Sequence, residues 1–561
     1  MKTALQATLA AGLIFFQICY SQSNQPNIVL ILLDDLDSHS IAYMPQLQAL
    51  LQDQGTAFPN FFVSVPVCCP SRASFLRGQY AHNHGVLTNH TPDGGFVKFR
   101  SQGHESSTIA TWLHDAGYRT ALFGTYLNGY PAGRPTYIPQ GWDEWYGVMY
   151  SNFFNYSINE NGQVVSYGND PQDYETDVLA RHATGFIRRT APVAPFFIYF
   201  ASVAPHEPAI PAPRHQNEFS NITAPRRPSF NEADVSDKPA WVRNLPLLTP
   251  TAIAGIDTLF RKRLQSLLAV DDMIKSLVDT LSAYNELENT YFFFTSDNGY
   301  HFGEHRRRMN KNTAYEESIR VPLIVRGPGV AAGRVLDHLV MNIDLGPTFA
   351  ELAGATAPDF VDGRSLMPLL HNVPPTISAW RHDVLIEHWI DDQDNRVPEF
   401  TALRTWNYTY VEYPTGEREL YDLRNDPFQL QSLHATADTA LLAQLAAQLD
   451  SLRHCRGGNC FPVGVAEKNL AVNLSDFRLE QNYPNPFNPS ATINFYLPKR
   501  ERVTLTIYDL TGRQAAVLVD AVLNAGEHQV AIDSEKLAGG VWFYQLKTPS
   551  FSQTRKAMVL R

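Results

Sequence analysis

The sequence of 561 residues lacks the excess of basic residues that nucleic-acid-binding proteins carry. It has 45 lysines and arginines against 56 aspartates and glutamates, so the net charge is -11. We therefore expect no nucleic-acid partner. Charged residues make up only 18% of the chain and hydrophobic residues 44%, which is typical of a folded globular protein and argues against disorder.

Long apolar runs are also lacking. Leu9 to Ile18 is apolar except for Gln17, but this run is shorter than the ~20 residues that a membrane-spanning helix needs. Lys2 precedes the run and the small and polar residues 21–23 follow it, an order that is typical of an export signal. We predict a signal peptide at residues 1–22 and a soluble, exported mature protein.

Cysteine is scarce, with five residues in the chain. Cys19 lies in the predicted signal, which leaves the neighbours Cys68 and Cys69 and the pair Cys455 and Cys460. A disulfide between Cys455 and Cys460 suits an oxidising compartment. A metal site at this pair is the alternative, but no further cysteine or histidine cluster accompanies it.

Four short apolar segments alternate with helical patterns in the first part of the chain. The first is nearly continuous, as expected for a strand that is buried on both faces of a parallel sheet. An amphipathic helix from Leu264 to Leu281 precedes the fourth segment. This alternation predicts an α/β domain, which we place at residues 23–380. The segments are Asn27–Leu33, Thr120–Gly124, Pro195–Phe200 and Tyr291–Thr295.

Each of these segments leads into polar residues. Asp34 and Asp35 follow the first segment, Thr125 the second, His206 the third, and Asp297-Asn298 the fourth. Because ligands of such sheets bind at the carboxyl ends of the strands, we predict that these side chains share one site.

The pattern changes after residue 380. Short strands with turns predict a small antiparallel subdomain at 381–460, with a helix near Thr439 to Leu452. A linker at 461–475 then leads to short alternating strands at regular spacing, which predict a β-sandwich at 476–561.

The segment from Cys68 to Gly78, Cys-Cys-Pro-Ser-Arg-Ala-Ser-Phe-Leu-Arg-Gly, contains an unusual chemical motif. A lone cysteine is most often simply buried, but this motif resembles the sulfatase signature. Further segments resemble sulfatases, and residues 82–84 and 126–128 look most like N-acetylglucosamine-6-sulfatases and heparan 6-endosulfatases. The resemblance covers roughly Pro26 to Cys460 and implies an alkaline-phosphatase-like fold, a largely parallel sheet between helices. The further segments are residues 27–35, 117–120, 296–301 and 321–329.

The resemblance implies that a formylglycine-generating enzyme oxidises Cys68 to formylglycine. The hydrated aldehyde has two hydroxyl groups. One attacks sulfur and expels the sugar alcohol, and the other loses its proton so that the carbonyl reforms and sulfate leaves. A sulfate ester of serine has no second hydroxyl group on the same carbon, so it could not release sulfate in this way.

A metal ion is the cofactor that the resemblance implies beside Cys68. Asp34, Asp35, Asp297 and Asn298 match the family's metal ligands, and modified Cys68 completes the shell. These hard oxygen donors fit Ca²⁺ better than Zn²⁺. A solvated strand end is the ordinary alternative for Asp34 and Asp35, but the second polar pair at another strand end favours the metal.

Four further residues are catalytic candidates. Arg72 matches the arginine that stabilises the formylglycine hydrate, and Lys311 matches a lysine that contacts sulfate. His206 matches the histidine near the leaving oxygen and suits general acid catalysis because histidine titrates near neutral pH. His301 is a second candidate acid or base. For each, an ordinary structural or surface role is the alternative.

Thr125 departs from the family pattern, because sulfatases usually carry a sulfate-binding lysine there. The loss of a charged contact weakens binding by about 1.5–3 kcal/mol, or ten- to a hundredfold. Two candidates could supply the missing charge. One is Arg77, which departs from the residue that sulfatases usually carry after Leu76, and the other is the run Arg306 to Arg308. A solvated loop is the alternative for that run.

The tail resembles the C-terminal sorting domain of the bacterial type IX secretion system. The resemblance implies a bacterial protein that is secreted or held at the cell surface, with the secretion machinery as a partner. A carbohydrate-binding sandwich is the alternative. The matching segments are residues 481–489, 508–513, 525–528, 540–541 and 556–560.

Three functions follow from these residues. The first is an exported sulfatase that removes 6-O-sulfate from N-acetylglucosamine-type residues of a sulfated polysaccharide or oligosaccharide. The second is a phosphonate or phosphate ester hydrolase of the same superfamily. The third is a catalytically impaired protein that binds sulfated glycans, which Thr125 suggests.

Overall fold

The computed structural model describes most of the chain. The predicted signal peptide and nearly all of the predicted linker lie outside the described residues. The chain divides into two compact units, Met1–Phe461 and Pro462–Arg561. The described residues are 25–371, 373–391, 396–461, 478–479, 482, 487, 490–510, 512–524, 526–533, 537–549 and 551–559.

The first unit is built on one mixed, largely parallel sheet, with the strand order β10-β2-β9-β8-β1-β7-β3-β4-β5-β6 and β11 beside β2. The central strands β8, β1, β7, β3 and β4 run parallel, whereas β9, β5 and β6 add antiparallel pairs. The predicted α/β sheet is confirmed. The strands are β1 (Asn27–Leu33), β2 (Thr56–Phe62), β3 (Arg119–Gly124), β4 (Glu144–Val148), β5 (Tyr156–Glu160), β6 (Gln163–Tyr167), β7 (Phe196–Ala201), β8 (Thr290–Ser296), β9 (Arg320–Arg326), β10 (Arg334–Val335) and β11 (Val340–Met341).

Helices cover both faces of this sheet. Thr249 caps the longest of them, α8, by accepting a hydrogen bond from the N–H of Ala252, which satisfies one of the free donors at a helix start. The helices are α1 (Pro45–Leu47), α2 (Cys68–Arg77), α3 (Ala81–His84), α4 (Gly95–Ser101), α5 (Ile109–Asp115), α6 (Glu175–Thr190), α7 (Ala240–Arg243), α8 (Pro250–Ala283), α9 (Glu316–Ile319), α10 (Leu345–Leu352), α11 (Met367–Leu370) and α12 (Thr439–Arg453).

The position of strand β1 explains why residues 28–33 are all apolar. Val29, Ile31 and Leu33 lie in the hydrophobic cluster that includes residues of α6 and α8. The alternate residues Ile28 and Leu30 lie in a second cluster with residues of α2, α5 and α10. Since side chains of a strand alternate between the faces of the sheet, burial on both sides requires apolar residues at every position.

A small antiparallel sheet follows in the same unit, in the order β12-β13-β14-β15, and α12 packs against it. The predicted disulfide between Cys455 and Cys460 is present. The carbonyl oxygen of Cys455 accepts hydrogen bonds from His82 and Asn83, so the loop contacts the segment after α2. The strands are β12 (Asp383–His388), β13 (Phe400–Thr405), β14 (Tyr408–Glu412) and β15 (Arg418–Asp422).

The second unit contains two antiparallel sheets, β16-β17-β20 and β19-β18-β21-β22. Residues of both sheets, such as Phe495 and Leu505, form one hydrophobic cluster, so the predicted β-sandwich is confirmed. In the described part of the chain, no helix is both long and apolar enough to cross a membrane. The strands are β16 (Arg478–Leu479), β17 (Ser490–Leu497), β18 (Glu501–Tyr508), β19 (Gln514–Leu523), β20 (Gly526–Asp533), β21 (Gly540–Lys547) and β22 (Ser552–Val559).

Candidate active site

Polar side chains gather at the carboxyl ends of the four adjacent parallel strands β8, β1, β7 and β3. Strands β1 and β8 are paired so that Leu33 lies opposite Ser296, and the N–H of Asp297 donates to the carbonyl oxygen of Leu33 at 3.1 Å. The residues that follow the two strands, Asp34 and Asp297, therefore lie side by side. Parallel pairing alone produces this arrangement, because all four strands end at the same edge.

The aspartates and Asn298 form a connected, buried cluster. The backbone N–H of Asp35 donates to Oδ1 of Asp297 at 3.1 Å, and Nδ2 of Asn298 donates to Oδ1 of Asp35 at 2.7 Å. Asp34, Asp35, Asp297 and Asn298 are all less than 7% exposed. Burial and the neighbouring Asp34 raise the pKa of Asp297 to about 6. Three carboxylates this close need compensating positive charge.

Arg72 supplies part of that charge from helix α2. Its guanidinium contacts Oδ2 of Asp297 at 2.8 Å and Oδ2 of Asp34 at 3.1 Å, and its side chain is fully buried. Nη1 donates to the carbonyl oxygen of Thr125 at 2.8 Å. One planar group thus ties the ends of β1, β8 and β3 together, which a lysine with its single charged atom would not do.

Cys68 is the first residue of helix α2 and is 5% exposed. Its Sγ lies 3.6 Å from Oδ1 of Asp34 and accepts a hydrogen bond from Nζ of Lys311 at 2.7 Å. Burial raises the pKa of the Cys68 thiol well above its usual value, although Lys311 opposes this shift. The unmodified residue is therefore a neutral thiol rather than a reactive thiolate.

Cys69 has a different environment, although it is the next residue. Its side chain is fully buried in the hydrophobic cluster between α2 and the sheet. Its backbone N–H donates to Oδ1 of Asn89 at 2.9 Å. Helix geometry separates the two sulfur atoms, because neighbouring residues of a helix face different directions.

The cluster has the composition of a site for a hard divalent cation. Ligand atoms of Asp34, Cys68 and Asp297 lie within 4.8 Å of one another, as do those of Asp34, Asp35 and His206. Oδ1 of Asn298 is buried and has no hydrogen-bond partner among the described residues. A buried carbonyl oxygen without a partner is unfavourable unless a ligand occupies it, so the residues present fit a metal ion.

Lys311 and His206 lie on either side of Asp35. Nζ of Lys311 donates to Oδ1 of Asp35 as well as to Cys68. Nε2 of His206 lies 3.7 Å from Oδ2 of Asp35, and its Nδ1 donates to the carbonyl oxygen of Glu207 at 2.7 Å. The side chain of His206 is 38% exposed, so of this group it is the one open to solvent.

His301 lies apart from these residues. It is fully buried, and its Nε2 is 2.8 Å from Oγ1 of Thr313. Burial and the nearby Arg307 lower the pKa of His301 well below its usual value, so the ring is neutral. Among the described residues, its side chain forms no hydrogen bond or ion pair with Cys68, Asp35 or Lys311.

Thr125 brings a hydroxyl and no charge. Its Oγ1 lies 3.1 Å from Oγ of Ser151. Arg77 is engaged elsewhere, since its Nε donates to Gln79 and its guanidinium stacks on Phe360 at 4.1 Å. It does not supply the missing charge.

The arginine run divides into separate roles. Arg306 donates to the carbonyl oxygens of Glu232, Ala233 and Leu245. Arg307 donates to the carbonyl oxygen of Lys311 at 3.1 Å, and Arg308 is exposed. Arg307 therefore supports the segment that carries Lys311, whereas Arg308 is solvated.

Arg263 was missed by the sequence analysis. It lies in α8, is fully buried, and donates to the carbonyl oxygens of Pro205 and Asp35. In the sequence, Arg263 is a charged residue directly before the apolar stripe that begins at Leu264, and this position could have indicated a buried role. Buried arginines of this kind need a specific acceptor.

Comparison with known protein families gives matches along most of the chain. Residues 26–355 match the sulfatase family. Residues 303–455 match the family described as N-sulphoglucosamine sulphohydrolase, C-terminal, and residues 481–560 match the secretion system C-terminal sorting domain.

Two relatives match this chain over most of their own length. Human N-acetylglucosamine-6-sulfatase is 36% identical over 483 residues, which covers 79% of this chain and 87% of that protein. An arylsulfatase of Volvox carteri is 33% identical over 517 residues, which covers 82% of this chain and 79% of that protein.

Solved structures share the fold. One, in complex with its substrate D-glucosamine-2-N,6-O-disulfate, has a TM-score of 0.67 and 24% identity, and the match covers 76% of this chain and 97% of that chain. A phosphonate monoester hydrolase from Silicibacter pomeroyi has a TM-score of 0.62 and 24% identity, and covers 77% and 95%. The fold is therefore the alkaline-phosphatase-like fold that the sequence predicted, and the chain belongs to the sulfatase family of sulfuric ester hydrolases.

Proposed function

We propose that this sulfatase removes 6-O-sulfate from N-acetylglucosamine-type residues of sulfated glycans. The observation that carries the proposal is the position of Cys68, which lies between Lys311 and the carboxylate cluster at the strand ends. The name of the human relative, N-acetylglucosamine-6-sulfatase, supports the choice of substrate class.

Two groups would complete the site. We propose that Asp34, Asp35, Asp297 and Asn298 hold Ca²⁺ and that Cys68 is converted to formylglycine. When bound, calcium would neutralise sulfate oxygens and acidify the hydroxyl that the hydrated formylglycine offers as nucleophile.

Other residues of the chain would orient the metal ligands and bind the sulfate group. Arg72 fixes the Asp34 and Asp297 carboxylates on which the metal site depends. Lys311 presents its ammonium where a sulfate oxygen would lie against residue 68. Thr125 offers a hydroxyl on the β3 side.

His206 is our candidate for the proton donor to the leaving sugar oxygen. Its Nδ1–H is held by the carbonyl oxygen of Glu207, so the proton to be transferred is held at Nε2. That nitrogen lies 3.7 Å from Oδ2 of Asp35. Among the described residues, His301 forms no hydrogen bond or ion pair with this cluster, so we propose a supporting role for it.

Desulfation of defined oligosaccharides tests the proposal. The protein is co-produced with a formylglycine-generating enzyme and offered glucosamine saccharides sulfated at N, O3 or O6, together with sulfated galactose controls. We expect sulfate release from the 6-O-sulfated N-acetylglucosamine substrates. Release only from other positions would overturn the specificity, and no release from any sulfate ester would overturn the activity.

A phosphonate or phosphate ester hydrolase is the second candidate. The fold is shared with phosphonate monoester hydrolases, and the neutral Thr125 is a departure from the sulfate-binding pattern. Parallel turnover of aryl sulfate, aryl phosphate and aryl phosphonate esters separates the two candidates. Faster cleavage of the phosphorus esters would reverse our ranking.

Removal of the metal ion is expected to destabilise the first unit. A ligand at 100 times its Kd stabilises a protein by about 2.7 kcal/mol, so a calcium chelator should lower the Tm and added Ca²⁺ should restore it. Differential scanning calorimetry of wild type and Asp297→Asn measures this effect. The variant should lose the response to Ca²⁺, whereas a wild-type Tm that is indifferent to both additions would contradict the site.

Introducing a lysine at position 125 is expected to strengthen the binding of sulfate. Thr125→Lys should lower KM and the inhibition constant of inorganic sulfate by about tenfold or more, since a hydrogen bond to a charged group contributes about 1.5–3 kcal/mol. Thr125→Met provides a long side chain without charge as the control. If both variants have the same KM and the same inhibition constant for sulfate, a positive charge at position 125 does not strengthen sulfate binding. Sulfate binding without any turnover in wild type would instead favour the impaired, glycan-binding function.

We further propose that residues 1–22 are an export signal and that residues 476–561 direct the protein through type IX secretion to the medium or the cell surface. The match of residues 481–560 to a secretion system sorting domain supports this. Retention of the full chain in the cytoplasm of a bacterium with that system would contradict it.

A further inference from the structure

The segment that carries Lys311 lies between the catalytic centre and the small antiparallel sheet. We call residues 311–317 the lysine segment. At its start, Nζ of Lys311 contacts Cys68 and Asp35. Four and five residues further on, Tyr315 and Glu316 are buried against residues of the antiparallel sheet.

Glu419 of β15 holds the first of these residues. Its carboxylate is 1% exposed and accepts hydrogen bonds from the hydroxyl groups of three tyrosines, with Tyr315 at 2.9 Å and Tyr413 at 2.5 Å. Tyr421 is the third donor. A carboxylate buried this deeply is stable only when its oxygen atoms are hydrogen-bonded. The hydroxyl of Tyr315 therefore helps to stabilise the buried carboxylate of Glu419.

The ring of Tyr315 is also fixed from the other side. It stacks on the imidazole of His305 at a centroid distance of 3.9 Å, and Nδ1 of His305 is 2.7 Å from a carboxylate oxygen of Glu232. Tyr315 is therefore held at both its hydroxyl and its face, which leaves its backbone little freedom.

Arg404 of β13 provides a second attachment. Its guanidinium contacts both carboxylate oxygens of Glu316, at 2.9 and 3.4 Å, and both side chains are 7% exposed. The backbone N–H of Glu316 donates to Oε1 of Gln429 at 2.9 Å. A two-point contact of this kind restricts orientation as well as distance.

The position of the lysine ammonium depends on such attachments. A lysine side chain is a flexible four-carbon stem with no rigid plane, so the position of its backbone determines which places its ammonium can reach. Displacement of a catalytic group by about 1 Å can reduce the rate by about a hundredfold. Arg307 holds the carbonyl oxygen of Lys311 from one end, and the antiparallel sheet holds the segment from the other.

We propose that Glu419 and Arg404 are positioning residues, through which the antiparallel sheet fixes the ammonium of Lys311 for the sulfate group. The inference rests on the proposed function, in which Lys311 contacts sulfate. It assigns the C-terminal subdomain a part in binding the sulfate group itself.

The test compares two hydrogen bonds from a tyrosine hydroxyl to a glutamate of the antiparallel sheet. Tyr315→Phe removes the hydroxyl that reaches Glu419. The matched control is Tyr410→Phe, because the hydroxyl of Tyr410 donates to Oε1 of Glu412 at 2.8 Å within β14 and forms no hydrogen bond with the lysine segment in the described part of the chain. We expect Tyr315→Phe to raise KM for an aryl sulfate about three- to tenfold and Tyr410→Phe to leave it unchanged. Glu419→Gln, which keeps the shape of the side chain, should act like Tyr315→Phe.

A double-mutant cycle with Lys311→Met separates positioning from general stability. If Tyr315 acts through Lys311, Tyr315→Phe has no further effect on KM once the ammonium is gone. An equal effect in both backgrounds, or an equal effect of Tyr410→Phe, would overturn the proposal even if all variants lose similar Tm.

Calorimetric titration with inorganic sulfate makes the test independent of turnover. Tyr315→Phe and Glu419→Gln should weaken sulfate binding by the same factor as they raise KM. If wild type binds sulfate but hydrolyses no sulfate ester, the proposed function fails while the positioning role is still measured by this titration. Absence of sulfate binding by wild type, or unchanged binding in both variants, would overturn the positioning role.

Discussion

Replacement of Cys68 by alanine is expected to reduce the hydrolysis of sulfate esters by at least about a thousandfold, because loss of a catalytic nucleophile removes most of the rate enhancement of an enzyme. Cys68 is the residue that lies between the ammonium of Lys311 and the carboxylate of Asp34. Release of sulfate from an aryl sulfate measures the loss. Mass spectrometry of the wild-type peptide that contains Cys68 shows in parallel whether the thiol has become an aldehyde.

Cys69→Ala is the matched control. This neighbour is fully buried in the hydrophobic cluster, so its truncation should reduce the free energy of unfolding by about 1 kcal/mol and leave kcat unchanged. Two outcomes would contradict our assignment. One is an active Cys68→Ala protein, and the other is an active wild type in which the peptide retains an unmodified thiol.

Lys311→Met should lower kcat/KM by about thirty- to a thousandfold. Removal of one partner from a buried, hydrogen-bonded charge cluster costs about 2–4 kcal/mol, and methionine retains most of the length of the side chain without its charge. The ammonium contacts both Asp35 and Cys68. Steady-state kinetics with an aryl sulfate and with a sulfated disaccharide measure the loss.

Lys275→Met serves as the control, because Lys275 is about half exposed on α8 and forms an ion pair with Asp279 on the same helix. Such an exposed pair contributes little, so kcat/KM should not change. If Lys311→Met retains wild-type kcat/KM, the ammonium does not bind sulfate. The role of the antiparallel sheet in placing it would then fall as well.

The central sheet could be predicted from the sequence because its strands are buried on both faces. Ile28 to Leu33 must be apolar at every position, since alternate residues enter two different hydrophobic clusters. The shared site at the strand ends followed from topology alone, because parallel strands end at one edge. That is why Asp34 and Asp297, 263 positions apart in the chain, could be placed together before any distance was known.

Other parts of the site depend on contacts that leave no periodic pattern. Arg263 reaches the carbonyl oxygen of Asp35 from the middle of α8, and only the packing of that helix determines which carbonyl it meets. His301 follows Asn298 closely in sequence, yet its ring is hydrogen-bonded to Thr313 and not to the cluster that contains Asn298. The attachment of Tyr315 to Glu419 joins residues 104 positions apart, and neither residue is unusual in its own segment.

The burial of helix α2 determines when Cys68 can be modified relative to folding. All ten residues from Cys68 to Arg77 are buried, and the thiol of Cys68 lies beneath Lys311. A modifying enzyme cannot reach this side chain in the finished fold, so any oxidation of Cys68 has to occur on the nascent or unfolded chain. Under the proposed mechanism, each molecule is therefore committed before it folds, and a chain that folds without the modification stays inactive.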